Sequence, residues 1–248
     1  MKIGIVQIKP RKGDIQENIQ THKTWVELAI AENVDLICFP ELSITGYEPE
    51  LCKELAMDKS DSRLDDFQKI SDLHNTAIGL GLPTNSERGI HISMVLFQPR
   101  QIRKVYSKQL LHSDELPYFA EGQKQIVWTV KNKKIAPAIC YESLQKQHSE
   151  NAKKLGADIY LASVAKPQNG IDKAFVHFPT IAQELKMPVL MSNCIGYCDN
   201  FQSAGQSAIW NSNGDLLEQL ESNKEGMLIF NTETKEVLKK EKTTANTK

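Results

Sequence analysis

The sequence predicts a single α/β domain in which helices cover a mostly parallel or mixed sheet. Three observations carry that prediction. Short apolar runs with strand character alternate with amphipathic helical patterns from end to end. No internal repeat and no low-complexity linker interrupts the alternation. The 248 residues suffice for one large domain. Residues 1–234 are read as that domain, and residues 235–248, rich in lysine and polar side chains, as a solvated tail.

Residues 3–8 set apolar side chains around Gly4 and Gln7 and read as the first strand. Asp14, three residues before Glu17, signals a capping box. Ile15, Ile19, Val26 and Ile30 then share one helical face. Residues 34–39 form a short apolar run broken only by Asp35, as in a buried parallel strand, and it ends at Pro40-Glu41. A loop through Gly46 and a short helical or irregular excursion over 48–58 follow. Residues 63–75 have helical spacing. Strands are expected over 77–83 and 90–97 around the polar turn 85–89, and over 103–106. A long loop, 107–122, precedes strands over 126–130 and 135–139. Beyond these, a helix is expected over 144–155, a strand over 159–163, a loop with Pro167 and Asn169-Gly170, and a helix over 172–185. Strands over 187–193, 204–210, 216–220 and 227–230 complete the chain. Trp25, Trp128 and Trp210 fall within these patterns as packing residues.

A formal charge of −1 provides no global field to recruit nucleic acid or an anionic membrane. No apolar run approaches the ~20 residues that span a bilayer. The first residues enter a strand pattern without a signal-peptide cleavage site. Five scattered cysteines, an odd number, favour free thiols and a cytoplasmic location. Cys194 and Cys198 lack the two further ligands that zinc requires, so no metal is expected. Phosphate-binding glycine motifs are absent, and no cofactor is implied.

Three chemically active residues stand where strands end: Glu41 after 34–39, Lys108 after 103–106, and Cys140 after 135–139. Functional groups in open α/β sheets gather beyond the carboxyl ends of strands, so strands sharing a sheet would bring all three to one pocket. Cys140 lies on a sharp strand-to-helix turn, and a helix N-terminus there favours the thiolate. A carboxylate that takes the thiol proton and an ammonium that stabilises the thiolate make a nucleophile without histidine. Each residue alone also has an ordinary reading: a solvated acid, a surface lysine, a small buried apolar cysteine.

Phe39-Pro40-Glu41, Tyr106-Ser107-Lys108 and Ile139-Cys140-Tyr141-Glu142, in that order, resemble the nitrilase (carbon–nitrogen hydrolase) superfamily. Supporting stretches are similar too: Glu115 with Tyr118-Phe119 and Gly122, Gly156-Ala157-Asp158, Met191-Ser192-Asn193, Gly205-Gln206-Ser207 and Asn213-Gly214-Asp215. The resemblance implies a four-layer α-β-β-α sandwich, a homodimer or higher homo-oligomer, and hydrolysis or occasionally acyl transfer at a non-peptide carbon–nitrogen bond. It implies Cys140 as nucleophile and Glu41 as general base. Lys108 would stabilise the oxyanion together with the backbone N–H of Tyr141, and Glu115 would orient the substrate or Lys108. A base that serves in both half-reactions needs a pKa nearer neutrality than a free glutamate's. Burial would raise it and Lys108 would lower it.

The sequence departs from the family's commonest pattern in two places. His112 lies four positions after Lys108, where many members have histidine two positions on. Residues 166–181 lack the usual tryptophan and arginines and carry Phe175, His177 and Phe178 instead. His177 either shapes the pocket or lies on the helix surface. Tyr47, Tyr118, Tyr141, Ala165 and His177 complete the expected substrate-binding or supporting set. The predicted activity is that of an amidase acting on a small carboxamide through a cysteine thioester. The alternatives are a nitrilase or an N-carbamoyl-amide hydrolase with the same three residues, a catalytically silent binding protein of this fold, and a redox role for Cys140, Cys194 and Cys198.

Overall fold

Two β-sheets stack face to face in the computed structural model, which describes residues 1–242. The first sheet has seven strands in the order β15-β14-β1-β2-β3-β4-β5. They are β1 (Lys2–Gln7), β2 (Leu36–Cys38), β3 (Ala77–Ser86), β4 (Gly89–Phe97), β5 (Lys104–Ser107), β14 (Gly226–Asn231) and β15 (Val237–Glu241). The second has six strands in the order β13-β12-β9-β8-β7-β6. They are β6 (Trp128–Val130), β7 (Lys133–Ile139), β8 (Ile159–Val164), β9 (Val189–Asn193), β12 (Ala208–Trp210) and β13 (Leu216–Gln219). In each sheet three strands run parallel at the centre, β1-β2-β3 and β7-β8-β9, with antiparallel strands outside them. A parallel neighbour requires a crossover, and helices supply most of it on the outer faces.

Those helices are α1 (Ile15–Ala31) and α3 (Asp65–His74) over the first sheet, and α4 (Lys146–Lys154) and α5 (Gln168–Leu185) over the second; the one-turn α2 (Cys52–Leu55) lies in the excursion after β2. Apolar contacts divide accordingly into three layers. Ile3, Ile5, Leu36, Ile135, Leu161 and Leu190 meet between the sheets. Ile19, Trp25, Val26 and Phe67 seal the first sheet, and Ala152, Ile171, Phe178 and Ile181 the second. The result is the four-layer α-β-β-α sandwich. Hydroxyls stitch the sheets where no apolar group fits: Ser192 donates to the Val6 carbonyl at 2.6 Å, and Ser163 to the Phe39 carbonyl at 2.9 Å.

The N-cap of α1 is half the expected box. Asp14 accepts from the Glu17 N–H at 3.1 Å, while the Glu17 carboxylate turns to Arg11 at 3.7 Å. Three expectations are corrected. The segment after residue 234 is not all tail: Val237–Glu241 pairs antiparallel with β14 from Phe230↔Val237 to Gly226↔Glu241, with Lys239 and Lys240 supplying the charges typical of an edge strand. Residues 243–248 of that expected tail lie outside the described residues. Asn169-Gly170 is not a loop, because α5 starts at Gln168 with Pro167 as its N-cap. A hairpin, β10 (Ile195–Cys198) and β11 (Phe201–Ala204), occupies a stretch not read as strand; its Asp199-Asn200 turn, with Asp199 at φ 48°, was the available signal. No helix among the described residues is long and apolar enough to cross a membrane.

Candidate active site

Glu41 follows β2, the central strand of the first sheet, by three residues. Its loop lies so close to β3 that a side chain at Gly81 would stand 2.2 Å from the Pro40 carbonyl oxygen and 2.7 Å from the Leu42 nitrogen. Glycine is therefore required there. Lys108 follows β5, anchored by its N–H to the Ile92 carbonyl at 2.8 Å and by its carbonyl to the Gly122 N–H at 2.7 Å. Its Nζ donates to Glu41 Oε1 at 2.8 Å and to Glu115 Oε1 at 2.6 Å. All three side chains are sealed from solvent. Tyr47 adds an O–H to Glu115 Oε1 at 2.9 Å, and the His112 N–H donates to Glu115 Oε2 at 2.7 Å.

Cys140 approaches from the second sheet, at the end of β7. Its φ of 45° lies in the left-handed region, uncommon for a residue with a side chain. It opens a 3₁₀ turn, Cys140–Leu144, whereas α4 begins only at Lys146. The expected helix N-terminus therefore does not stand at the thiol. The turn is held instead by Glu142, a fully buried residue that the sequence reading quoted only as part of a motif. Its Oε1 accepts from the Ile139 N–H and the Tyr106 hydroxyl, each at 2.7 Å, and its Oε2 from the Gln109 N–H at 2.7 Å. One carboxylate thus ties the end of β7 to the residues on either side of Lys108. Burial pushes the Glu142 pKa up to about 7, against the Tyr106, Ile139 and Gln109 hydrogen bonds that favour the anion.

The thiol donates to the Ala165 carbonyl at 3.5 Å, and the Glu41 carboxylate lies near enough for its charge to act on it. Glu41 Oε2 also accepts from the Ala165 N–H at 3.2 Å, so Ala165 fixes both partners through its backbone. Burial and the neighbouring Glu41 push the thiol up to about 12, while Lys166 and Lys108 draw it back. Burial raises the Glu41 pKa above the usual carboxylate range, opposed by Lys108 and reinforced by Glu115. For Lys108, burial is the largest single influence and disfavours the charge, but Glu41 and Glu115 together outweigh it and raise the pKa. The resting arrangement is a neutral thiol beside an ammonium clamped by two acids.

Cys140 opens onto a cavity of about 470 Å³. Tyr47, Glu115, Tyr141, Ala165 and His177 of the expected set line it with Cys140, while Glu41 and Lys108 lie behind the wall. His177 faces the cavity side of α5, half-buried, with its pKa lowered by burial. Tyr118 does not line the cavity. Its N–H closes a turn onto the Glu115 carbonyl, its own carbonyl accepts from Cys52 at 3.6 Å, and it is left 37% exposed. Three contributors were missed. Phe201, from the unforeseen hairpin, packs edge-on against Tyr47 at 5.5 Å. Lys166, after β8, is buried at the thiol. Asn193, the last residue of β9, accepts the Lys166 N–H at 2.9 Å. Lys166 follows a strand just as the three expected residues do, and that rule would have found it. Cys194 and Cys198 are buried with their sulfurs 3.4 Å apart. Among the described residues no group of three or more His, Cys, Asp or Glu is placed to hold a metal ion.

With the geometry established, comparison with known proteins places the chain. It is 27% identical over 238 residues to the glutamine-dependent NAD(+) synthetase of Acinetobacter baylyi, a match that covers 90% of this chain but 42% of that protein. The chain therefore spans less than half the length of this relative. It is 24% identical to the 2-oxoglutaramate amidase of Bacillus subtilis, over 88% of this chain and 85% of the relative. Among solved structures, the NitN amidase of Nesterenkonia sp. AN1 superimposes with a TM-score of 0.85 at 21% identity, covering 93% of this chain and 92% of that one, a likeness of fold. The carbon-nitrogen hydrolase sequence profile matches residues 2–237. Sandwich, strand-end residues and profile agree: the chain belongs to the carbon–nitrogen hydrolase family.

Proposed function

We propose that this carbon–nitrogen hydrolase is an amidase that converts a small carboxamide to a carboxylate and ammonia through a thioester on Cys140. The observation that carries the reading is the meeting of Glu41, Lys108 and Cys140, from two different sheets, at the wall of one cavity. Glu41 takes the thiol proton as sulfur attacks the carbonyl carbon. An ammonium has three N–H donors. Two of those on Lys108 are held by Glu41 and Glu115, and the third is assigned to the carbonyl oxygen as its charge grows, with the Tyr141 N–H as second donor. Protonated Glu41 returns its proton to the departing nitrogen. Ammonia leaves, and Glu41, again ionised, activates the water that hydrolyses the thioester. Glu115 holds Lys108 in register, and Tyr47 holds Glu115.

The named relatives support an amide substrate. The Bacillus subtilis protein is a 2-oxoglutaramate amidase and the Acinetobacter baylyi protein is glutamine-dependent. In the E41L mutant of the Nesterenkonia amidase, the acetamide moiety of fluoroacetamide adds covalently at the active-site cysteine. The test is ammonia release from short aliphatic amides, 2-oxoglutaramate and glutamine, run beside Cys140→Ala. Release by the wild type that disappears in Cys140→Ala is expected. Turnover of nitriles without amides, or carbon dioxide released with the ammonia, would replace the reading with a nitrilase or a carbamoyl-amide hydrolase. A homodimer is the assembly we propose from the family resemblance, and sedimentation velocity checks it.

A further inference from the structure

Lys166 is buried, 3% exposed, in the loop after β8. Its backbone is strapped on both sides: its N–H donates to Asn193 Oδ1 at 2.9 Å, and its carbonyl accepts from Ala204 at 2.9 Å and from Ser203 Oγ at 3.1 Å. Its aliphatic stem runs over Gly170, where an added Cβ would stand 3.2 Å from the Lys166 Cβ. The ammonium ends at the nucleophile. Nζ donates to the Cys140 carbonyl at 3.2 Å and lies 3.7 Å from Cys140 Sγ. Among the described residues no carboxylate comes within ion-pairing distance of it. A buried ammonium without a carboxylate is costly unless the working site supplies a negative charge.

Charge accounting identifies that negative charge. At rest Lys108 is shared by two acids, Glu41 and Glu115. When the Cys140 S–H proton moves to Glu41, Glu41 becomes neutral and Lys108 is balanced by Glu115. The new thiolate then has no counter-charge from the expected three residues. We propose that Lys166 is a second catalytic cation, whose ammonium balances the Cys140 thiolate during proton transfer to Glu41. The proposal rests on Cys140 being the nucleophile. The charged or titratable groups around the thiol and its cavity, besides Lys166, are Glu41 from the loop after β2, Lys108, His112, Asp114 and Glu115 from the loop after β5, Tyr47 from the loop before α2, Tyr141 from the 3₁₀ turn, and Lys173 and His177 from α5. Glu41 and Glu115 oppose the thiolate; Lys166 and Lys108 favour it, in that order of strength.

The test needs no knowledge of the substrate. Alkylation of Cys140 by iodoacetamide, in which sulfur bonds to the methylene carbon and iodide leaves, reports the thiolate. Its rate is followed by intact mass against pH in wild type, Lys166→Met and Lys166→Gln, with iodoacetate run in parallel and circular dichroism confirming the fold. Both variants are expected to react with iodoacetamide about tenfold more slowly near neutrality, the equivalent of a thiol one pKa unit weaker, with the pH profile displaced upward. Lys166→Gln retains a donor for the Cys140 carbonyl without the charge. A wild-type rate in Lys166→Gln would make Lys166 a strut for the turn and overturn the proposal. So would slowing confined to iodoacetate, which would mark Lys166 as an anchor for carboxylate ligands only. Wild-type protein that resists iodoacetamide at Cys140 at every pH, alkaline pH included, would instead remove the nucleophile itself, a failure of the amidase reading that this design separates from failure of the Lys166 proposal.

Discussion

The central strands of the two sheets end in the same place with opposite charges. β2 leads to Glu41 and β8 to Lys166, and the strand ends touch: Ser163 Oγ reaches the Phe39 carbonyl, and the Ala165 N–H reaches Glu41. Burial is nearly identical, 2% exposure for Glu41 and 3% for Lys166. Their partners are not alike. Glu41 has Lys108 at 2.8 Å, whereas Lys166 has a carbonyl and a thiol. The compensated charge lies behind the wall, and the uncompensated one lines the cavity. Exposure alone would class both as structural. The partner sets separate a charge that is ion-paired at rest from one that is not.

Neutralising the compensated end should have the largest effect. Glu41→Gln keeps the shape and removes the base, so kcat should fall roughly 10²–10⁴-fold, measured as ammonia release. The fold should survive, because Lys108 still has Glu115. A variant within a few-fold of wild type would show that another group takes the thiol proton. Removing the shared cation comes next. Lys108→Met leaves Glu41 and Glu115 facing each other without a counter-charge. Activity should fall about 10²–10³-fold through the lost oxyanion donor, and stability by about 3–5 kcal/mol. Denaturant unfolding monitored beside activity separates the two losses. An intact stability would mean that one acid is already protonated at rest.

The pH profile sharpens the comparison without dismantling it. Burial, aided by Glu115, raises the Glu41 pKa. A base must be ionised, so kcat/KM should fall as pH drops through a value above the ordinary glutamate range. Glu115→Gln removes a neighbouring negative charge that opposes Glu41 ionisation. The acid limb should therefore move to lower pH, even as the plateau falls because Lys108 is less well held. An acid limb that stays in place would assign it to a different group.

Much of this site was legible in the chain. Glu41, Lys108 and Cys140 each follow a run whose apolar character marks a strand, and the rule that chemistry collects at strand ends needs no knowledge of the sheet order. What escaped depends on how loops return. Lys166 obeys the same rule, but a lone lysine before a proline looks like a solvated charge until Asn193 and Ser203, far along the chain, are seen to hold its backbone inward. Phe201 reaches the cavity only because a two-residue turn folds β11 back on β10. Tyr118 was misplaced for the converse reason: a local turn onto Glu115 leaves it at the surface while Glu115 is buried. The four-layer architecture followed from the family resemblance. Periodicity alone identified the alternation of strands and helices but not its division into two sheets, because an apolar run does not say which neighbour it will pair with.

The smallest expected effect tests the support beneath the compensated end. Tyr47 donates to Glu115 Oε1, the atom that also takes a Lys108 N–H, and burial followed by the Glu41 charge raises the phenol pKa so that it remains a donor. Tyr47→Phe removes one hydrogen bond and leaves the ring against Phe201. Glu115 is not orphaned, since Lys108 and the His112 N–H still reach its oxygens. The loss should therefore be about 1 kcal/mol of stability and less than tenfold in kcat/KM, near the net worth of a single hydrogen bond. Thermal unfolding and steady-state kinetics on the same preparation measure both. A loss approaching that of Glu41→Gln would place the Tyr47 hydroxyl on the reacting atoms. It would also move the boundary between the sealed and open parts of the site to the cavity side of Glu115.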